Sequence, residues 1–342
     1  MRERNLSIDV MRVLGLLLII MAHVSPPGII FQLRTFDVPM MVFVSGMSYF
    51  AAGKKDVNII PYVYSRFKRL VVPVWCFLIV FFSFIFVFTP RGFDNLIDPE
   101  MIISSFALNG FGYLWVIRVF LIIAILSPFY VLAADKIKGV AVPVVIILLL
   151  LLSTLISVCI KNEDYSLIDL CFSDYIIPAL SYGAAFILGY SYVRASEKDM
   201  ILSFFVFLAA LILCALIQFS WGSGFHWPQE SKYPPTMYYI LYSLTISIPL
   251  YLFVKYKLVG NINGRYKEAL LFLSSNTIWV YLWHIPVVEY YHRLHPNVNF
   301  IFKYIPAVLI PVLIVTVQVK MVKKLIKKNP AKYGFLKVIF TG

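Results

Sequence analysis

Arg12 and His23 lie in one apolar stretch, Ser7 to His23, where Asp9 is the only other ionisable residue. Histidine can take up and release a proton near neutral pH, and arginine is a permanent cation that binds anions through a planar fork. Eleven helical steps of about 100° bring the second residue back to within about 20° of the first and about 16 Å further along the axis. On a helix the two would therefore share one face at different depths. Ionisable groups inside a membrane are expensive and usually mark a site. The alternative for Arg12 is a salt bridge to Asp9 one turn earlier, with the guanidinium drawn to the interface.

Five further features carry candidate chemistry. Arg66 and Arg69, three apart in RFKRLVVPVW, open an apolar segment and could grip a phosphate or pyrophosphate; they could equally be charges that set topology. Ser45-Gly46 lies inside the apolar run VPMMVFVSGMSYF, where small residues permit close backbone approach. Trp115 and Arg118 share a face in GYLWVIRVF, where the arginine can also snorkel to the interface. Tyr233 precedes Pro234-Pro235 in a tyrosine-rich outer segment that an aromatic belt would explain. His284 and Glu289 fall in or near the outer half of VYLWHIPVVEYY, where a lone histidine is often just a satisfied core group.

The elements that position these residues follow from composition. The 342-residue chain is 61% apolar and 17% aromatic, with a mean hydropathy of +0.85, far from the range of soluble domains. This predicts an all-α, polytopic integral membrane protein. Spans fall at about Ile8–Val24, Val38–Ala52, Val71–Thr89, Phe111–Ala134 and Val140–Ile160. Five more lie at about Tyr175–Val193, Ile201–Trp221, Thr236–Val254, Leu270–Val288 and Phe300–Val319, giving about ten helices.

With both termini cytoplasmic, the inner side collects Lys54, Lys55, Arg66, Lys68, Arg69 and seven lysines from Lys320 to Lys337. The outer side keeps Arg34, Arg91, Lys161, Lys232, Arg293 and Lys303, which is the asymmetry of the positive-inside rule. The net charge of +13 then reflects topology and attraction to anionic membrane lipids, and needs no nucleic acid. Asp94, Asp98, Glu100, Glu163, Asp164, Asp169 and Asp174 read as solvated outer-loop charges. The first span has no small-x-small cleavage site and runs into Pro26-Pro27, so it stays in the mature protein. Cys76, Cys159, Cys171 and Cys214 are dispersed, which indicates neither a zinc site nor a disulfide framework. One membrane domain, 1–342, is expected, with 320–342 as a basic cytoplasmic tail.

Taken together, these features resemble acyltransferase family 3, the integral membrane acyltransferases. The resemblance rests on Asp9-x-x-Arg12, the Arg12-to-His23 spacing, VPMMVFVSG, the Arg66/Arg69 pair followed by Pro73, the Trp115 region and YLWHIP at Tyr281–Pro286, in that order along nearly the whole chain. It departs from the family where Met40-Met41-Val42-Phe43 stands for a frequent phenylalanine pair. The chain looks like the stand-alone form without a periplasmic esterase-like domain.

The resemblance implies transfer of an acetyl or other short acyl group from a coenzyme A thioester to a hydroxyl of a cell-envelope or surface glycan. It implies His23 as catalytic histidine, Arg12 as its partner and Arg66/Arg69 as the donor-phosphate site. Asp9, Ser45, Trp115, Arg118, Tyr233, His284 and Glu289 are possible acceptor-site or supporting residues. The donor would be acetyl-CoA or another short acyl-CoA, with no permanently bound cofactor and no metal. Expected partners are a glycan or lipid-linked saccharide and membrane lipids, in a bacterial inner membrane. The competing class is a multispanning transporter or lipid-linked glycan flippase, which paired broken helices in an internal repeat would favour; no clear repeat is visible.

Overall fold

The computed structural model describes residues 4–53, 58–160 and 167–341; Lys54, Lys55, Lys161, Glu163 and Asp164 lie outside them. Among the described residues there is no strand, as an apolar medium requires when backbone groups must be satisfied within each segment. The main helices are α1 (Leu6–Ala22), α2 (Asp37–Ala51), α3 (Ile59–Phe88), α4 (Trp115–Lys136), α5 (Ala141–Ile160) and α6 (Ile177–Tyr192). They continue with α7 (Glu197–Gln218), α8 (Met237–Phe253), α9 (Gly264–Ser275), α10 (Thr277–Leu294) and α11 (Phe300–Lys328).

Eight helical stretches among the described residues are long and apolar enough to cross a membrane, nine if α9 and α10, bent by 78°, count as one. The expectation of about ten also counts α1, whose 17 residues fall short of the roughly 20 a span needs. Three boundaries depart from the sequence reading. Helix α3 begins at Ile59 rather than near Val71, so Arg66 and Arg69 lie two turns inside it instead of opening it. Hydropathy marks only the embedded part of a helix, whereas backbone hydrogen bonds carry it beyond. Helix α11 likewise runs on to Lys328. The segment expected as a basic tail ends in short helices, Pro330–Tyr333 and Leu336–Phe340.

The chain divides into two compact units, the first comprising Met1–Gly15, Gly28–Val57 and Ile122–Asn263. Its centre is the packing of α2 on α6. A Cβ at Gly46 would fall on the Phe186 carbonyl, and one at Gly189 on the Phe43 carbonyl, so each glycine admits the other helix's backbone. That is the close approach expected of Ser45-Gly46. Buried serines add hydrogen bonds: Ser181 Oγ contacts Ser153 Oγ at 2.9 Å and donates to the Pro235 carbonyl at 2.7 Å.

The second unit comprises Leu16–Pro27, Asn58–Leu121 and Gly264–Gly342. Tryptophans stitch it together by donating from their ring N–H groups. Trp75 donates to the Phe106 carbonyl at 2.9 Å, Trp279 to the Ile339 carbonyl at 2.8 Å and Trp283 to Gln318 at 3.0 Å. Phe340 stacks on Trp279 with ring centroids 5.3 Å apart, so the short helix Leu336–Phe340 packs on α10. The apolar faces of α3 and α11 remain exposed at Phe84, Phe86, Phe88, Phe302, Leu309 and Leu313, which suits contact with lipid.

Replacing Gly189 by Ala should destabilise the first unit by about 1–3 kcal/mol, the usual cost of overpacking, because backbone cannot yield as a flexible side chain can. Gly260→Ala, where an added methyl meets open space, is the control. Thermal unfolding of the two purified variants in detergent checks this; equal midpoints would contradict it.

Candidate active site

His23 is the first residue past α1, not a member of it: its N–H reaches the Ile20 carbonyl at 3.1 Å in a closing turn. The helix stops because Ser25 adopts a left-handed φ of 53° and Pro26 and Pro27 lack the N–H groups that would extend it. Its ring is therefore offered at the end of the helix, where the sequence reading had placed it inside a span.

The Nδ1 of His23 lies 2.9 Å from Nε2 of His284, with the two rings stacked at 5.1 Å. On its other side, His284 Nδ1 hydrogen-bonds the Tyr281 carbonyl one turn back on α10. A carbonyl only accepts, so His284 Nδ1 carries the proton and its Nε2 is a lone pair. His23 Nδ1 must then be the donor across the pair, which makes Nε2 the basic nitrogen of a neutral His23. Two hydrogen bonds thus set both tautomers.

Tyr113 completes the cluster, its ring edge-on to His23 at 4.8 Å. The phenol donates to Glu289 Oε1 at 2.7 Å, and Arg293 Nε donates to Glu289 Oε2 at 2.6 Å. Tyr281 OH donates to the Tyr113 carbonyl at 2.5 Å. Arg293 also donates to the Gly92 carbonyl at 2.6 Å and to Asn95 Oδ1 at 2.5 Å. Burial, and then the Glu289 charge, hold the Tyr113 phenol well above its ordinary range, so it remains a donor. Glu289 is buried with both oxygens occupied, as a buried carboxylate must be.

The remaining candidates of this unit take simpler places. Arg66 lies over the Tyr62 ring at 4.8 Å and Arg69 is exposed on α3, both open to an anion. Trp115 is half-buried at the start of α4. Arg118 donates to Asn109 Oδ1 at 3.0 Å, which gives it a polar partner in addition to any snorkelling.

In the first unit, Arg12 Nη2 donates to Ser48 Oγ on α2 at 2.6 Å, and Ser48 Oγ donates onward to the Val44 carbonyl at 2.8 Å. The alternative ion pair with Asp9 is present at 3.9 Å, but Asp9 is held more closely by Arg4, at 2.8 and 2.9 Å. Ser45 donates to the Met41 carbonyl of its own helix at 2.9 Å, which leaves its neighbourhood a packing feature. Tyr233 is exposed.

Three of the cations counted on the outer side, Arg34, Lys232 and Lys303, are buried. Arg34 pairs with Asp37 at 2.6 Å, and Lys232 is 4% exposed. Burial lowers the Lys232 amine to about 8, against the opposing pull of Asp37. Loop position in a sequence says nothing of what folds over it.

Sequence reasoning missed Tyr113 and Ser48. Tyr113 sits two residues before Trp115 within the quoted GYLW segment, and Ser48 lies three beyond Ser45, but neither has a periodicity that separates it from its neighbours. A family model described as an acyltransferase domain matches residues 5–318. No curated protein and no solved structure matches the chain.

The Lys232 amine has a pH consequence. In the unfolded chain it keeps its ordinary value of 10.5, so between about 8 and 10.5 the unfolded state binds more protons and stability rises with pH. Below about 8 the full penalty applies, on the order of 3 kcal/mol. Unfolding midpoints of purified protein should increase from pH 8 to 10, and Lys232→Met should remove most of that rise. An unchanged slope in the variant would rule this out.

Proposed function

The chain belongs to the acyltransferase domain family, and from that premise we propose that this multi-pass membrane protein moves an acetyl or other short acyl group from a coenzyme A thioester to a hydroxyl of a cell-envelope or surface glycan. A thioester is already activated, so the protein has to deprotonate the hydroxyl and hold the reactants together. The observation that carries the reading is the hydrogen-bond chain from His23 Nδ1 through His284 to the Tyr281 carbonyl. It leaves His23 Nε2 as the base.

In the proposed step, the acceptor O–H gives its proton to His23 Nε2 as the oxygen attacks the thioester carbonyl. The new C–O bond forms, the C–S bond breaks, and the departing thiolate takes the proton back from His23. The His284 lone pair stabilises the imidazolium that exists between these events, because it accepts the Nδ1 proton throughout. His284 is thus a positioning residue for His23. Tyr113 walls the other side of the ring, held by Glu289 and Arg293.

Arg66 and Arg69 are the proposed donor-phosphate contacts: a pair three apart on one helix offers two guanidinium forks to a polyanion. Arg12, fixed to Ser48, is the proposed intramembrane cation for the donor. The bacterial inner membrane is the proposed location, since its cytoplasmic face would supply the thioester. The rival transporter reading gains nothing from the family match.

His23→Ala is expected to lower acyl transfer from labelled acetyl-CoA in membranes by roughly 10²–10⁴-fold, the contribution of a general base, at unchanged abundance. Activity within twofold of wild type would remove His23 from the mechanism. His284→Ala should lower kcat by roughly 10–10²-fold, as loss of an orienting partner does, and shift the acidic limb of the pH–rate profile. A stability loss with an unshifted profile would reduce His284 to packing.

For the donor site, Arg69→Ala should weaken coenzyme A binding by about 1.5–3 kcal/mol, the worth of a charge-assisted contact. Arg69→Lys should recover only part, having lost the planar fork. Calorimetric titration of the three proteins decides; equal affinities would mean that Arg69 only sets topology.

A further inference from the structure

A cavity lies in the first unit, lined by none of the residues proposed to take part in acyl transfer. It encloses about 380 Å³ and is lined by Lys138, Gly139 and Val142 from the α4–α5 connection, and by Ser191, Arg194 and Asp199 from the end of α6 and the start of α7. Its size falls within the range of small-ligand sites, about 300–1,000 Å³.

Four observations define its chemistry. Ser191 Oγ is buried and has no hydrogen-bond partner, although its residue lines the cavity and is only 5% exposed. A buried hydroxyl without a partner is costly, so a bound acceptor or donor is the expected complement. Helix α5 starts at the cavity with no acidic residue in its first turn, leaving the positive end of its dipole unanswered. Lys138 is exposed at the rim and forms no ion pair among the described residues.

The fourth observation is that the other charges are already committed. Arg194 is anchored to Asp135 at 2.7 Å and to the Ala134 carbonyl at 3.0 Å. Asp199 caps α7 through Oδ2, which accepts from Ser196 Oγ at 2.7 Å and from Ser196 N–H at 3.3 Å. What remains to greet a ligand is one exposed cation, one helix dipole and one hydroxyl, a set suited to a phosphate ester.

The flanking surfaces indicate the source of that phosphate. Val140, just before α5, and Val144 within it on one side, and Ile201 and Leu202 of α7 on the other, are exposed apolar residues within a turn of the lining, and α5 and α7 are long and apolar enough to cross a membrane. A phosphate reaching this cavity beside such faces carries acyl chains. We propose that this cavity is a binding site for the phosphate headgroup of an anionic phospholipid, with Lys138, the α5 N-terminus and Ser191 Oγ as its contacts.

The test uses the full chain purified in detergent, with short-chain phosphatidylglycerol and phosphatidylcholine titrated and bound lipid counted by native mass spectrometry. Phosphatidylglycerol should bind wild type roughly tenfold more tightly than phosphatidylcholine, and Lys138→Gln and Ser191→Ala should each weaken it by about fivefold to tenfold. Without lipid, Ser191→Ala should melt at or above the wild-type temperature, since it removes an unpartnered hydroxyl; that separates a lost contact from a lost fold. Equal phosphatidylglycerol binding in all three proteins, or no preference over phosphatidylcholine, would overturn the site. Glycerol phosphate or inorganic phosphate displacing the lipid at equal concentration would overturn the lipid as its source.

Discussion

Inside a bilayer no water is available to complete a hydrogen bond, so polar groups on these helices are driven to find partners in the protein or in a ligand. The serines that return their hydroxyl protons to a carbonyl one turn back, such as Ser48 to Val44 and Ser243 to Tyr239, obey this locally. Trp75, Trp279 and Trp283 of the second unit obey it between elements, each ring N–H reaching a carbonyl or amide oxygen. Glycines at the α2–α6 crossing make such contacts possible by letting backbones meet.

The same constraint shapes the candidate active site. A histidine facing water can exchange tautomers freely, whereas His284 is buried against a carbonyl that only accepts. Its proton is therefore fixed, and the orientation passes to His23 through a 2.9 Å contact. Glu289 shows the cost of the alternative: a buried carboxylate needs Tyr113 and Arg293 to occupy both of its oxygens. These two networks meet at Tyr113, whose ring touches His23 and whose hydroxyl serves Glu289. A histidine held this way is oriented before any ligand reaches it, and pre-set orientation lowers the cost of ordering a reacting group.

Cations in the chain divide by what surrounds them. Arg34, paired with Asp37, and Lys232 are buried away from water, which for the Lys232 amine disfavours the charged form. Arg12 holds a serine, Arg66 an aromatic face, and Arg69 and Lys138 remain accessible to soluble or lipid anions. Net charge alone conceals this division, because it counts a buried, committed guanidinium equally with an exposed one.

The apolar runs by themselves determined an all-α membrane protein and most of its helices, since hydropathy over some twenty residues is a local property. The order of short motifs from Asp9-x-x-Arg12 to YLWHIP was equally local, and the family match over residues 5–318 bears it out. His23 and His284 were both legible as candidates, yet 261 positions separate them, and no spacing rule reaches that far. Only the tertiary structure decided that one histidine orients the other, that Tyr113 and Ser48 belong beside the named residues, and that Lys232 is buried. It also decided that α1 ends just before His23 and that the basic C-terminal segment packs back on Trp279. Each of these depends on which distant group fills a polar vacancy, and that is a property of packed neighbours, not of sequence distance.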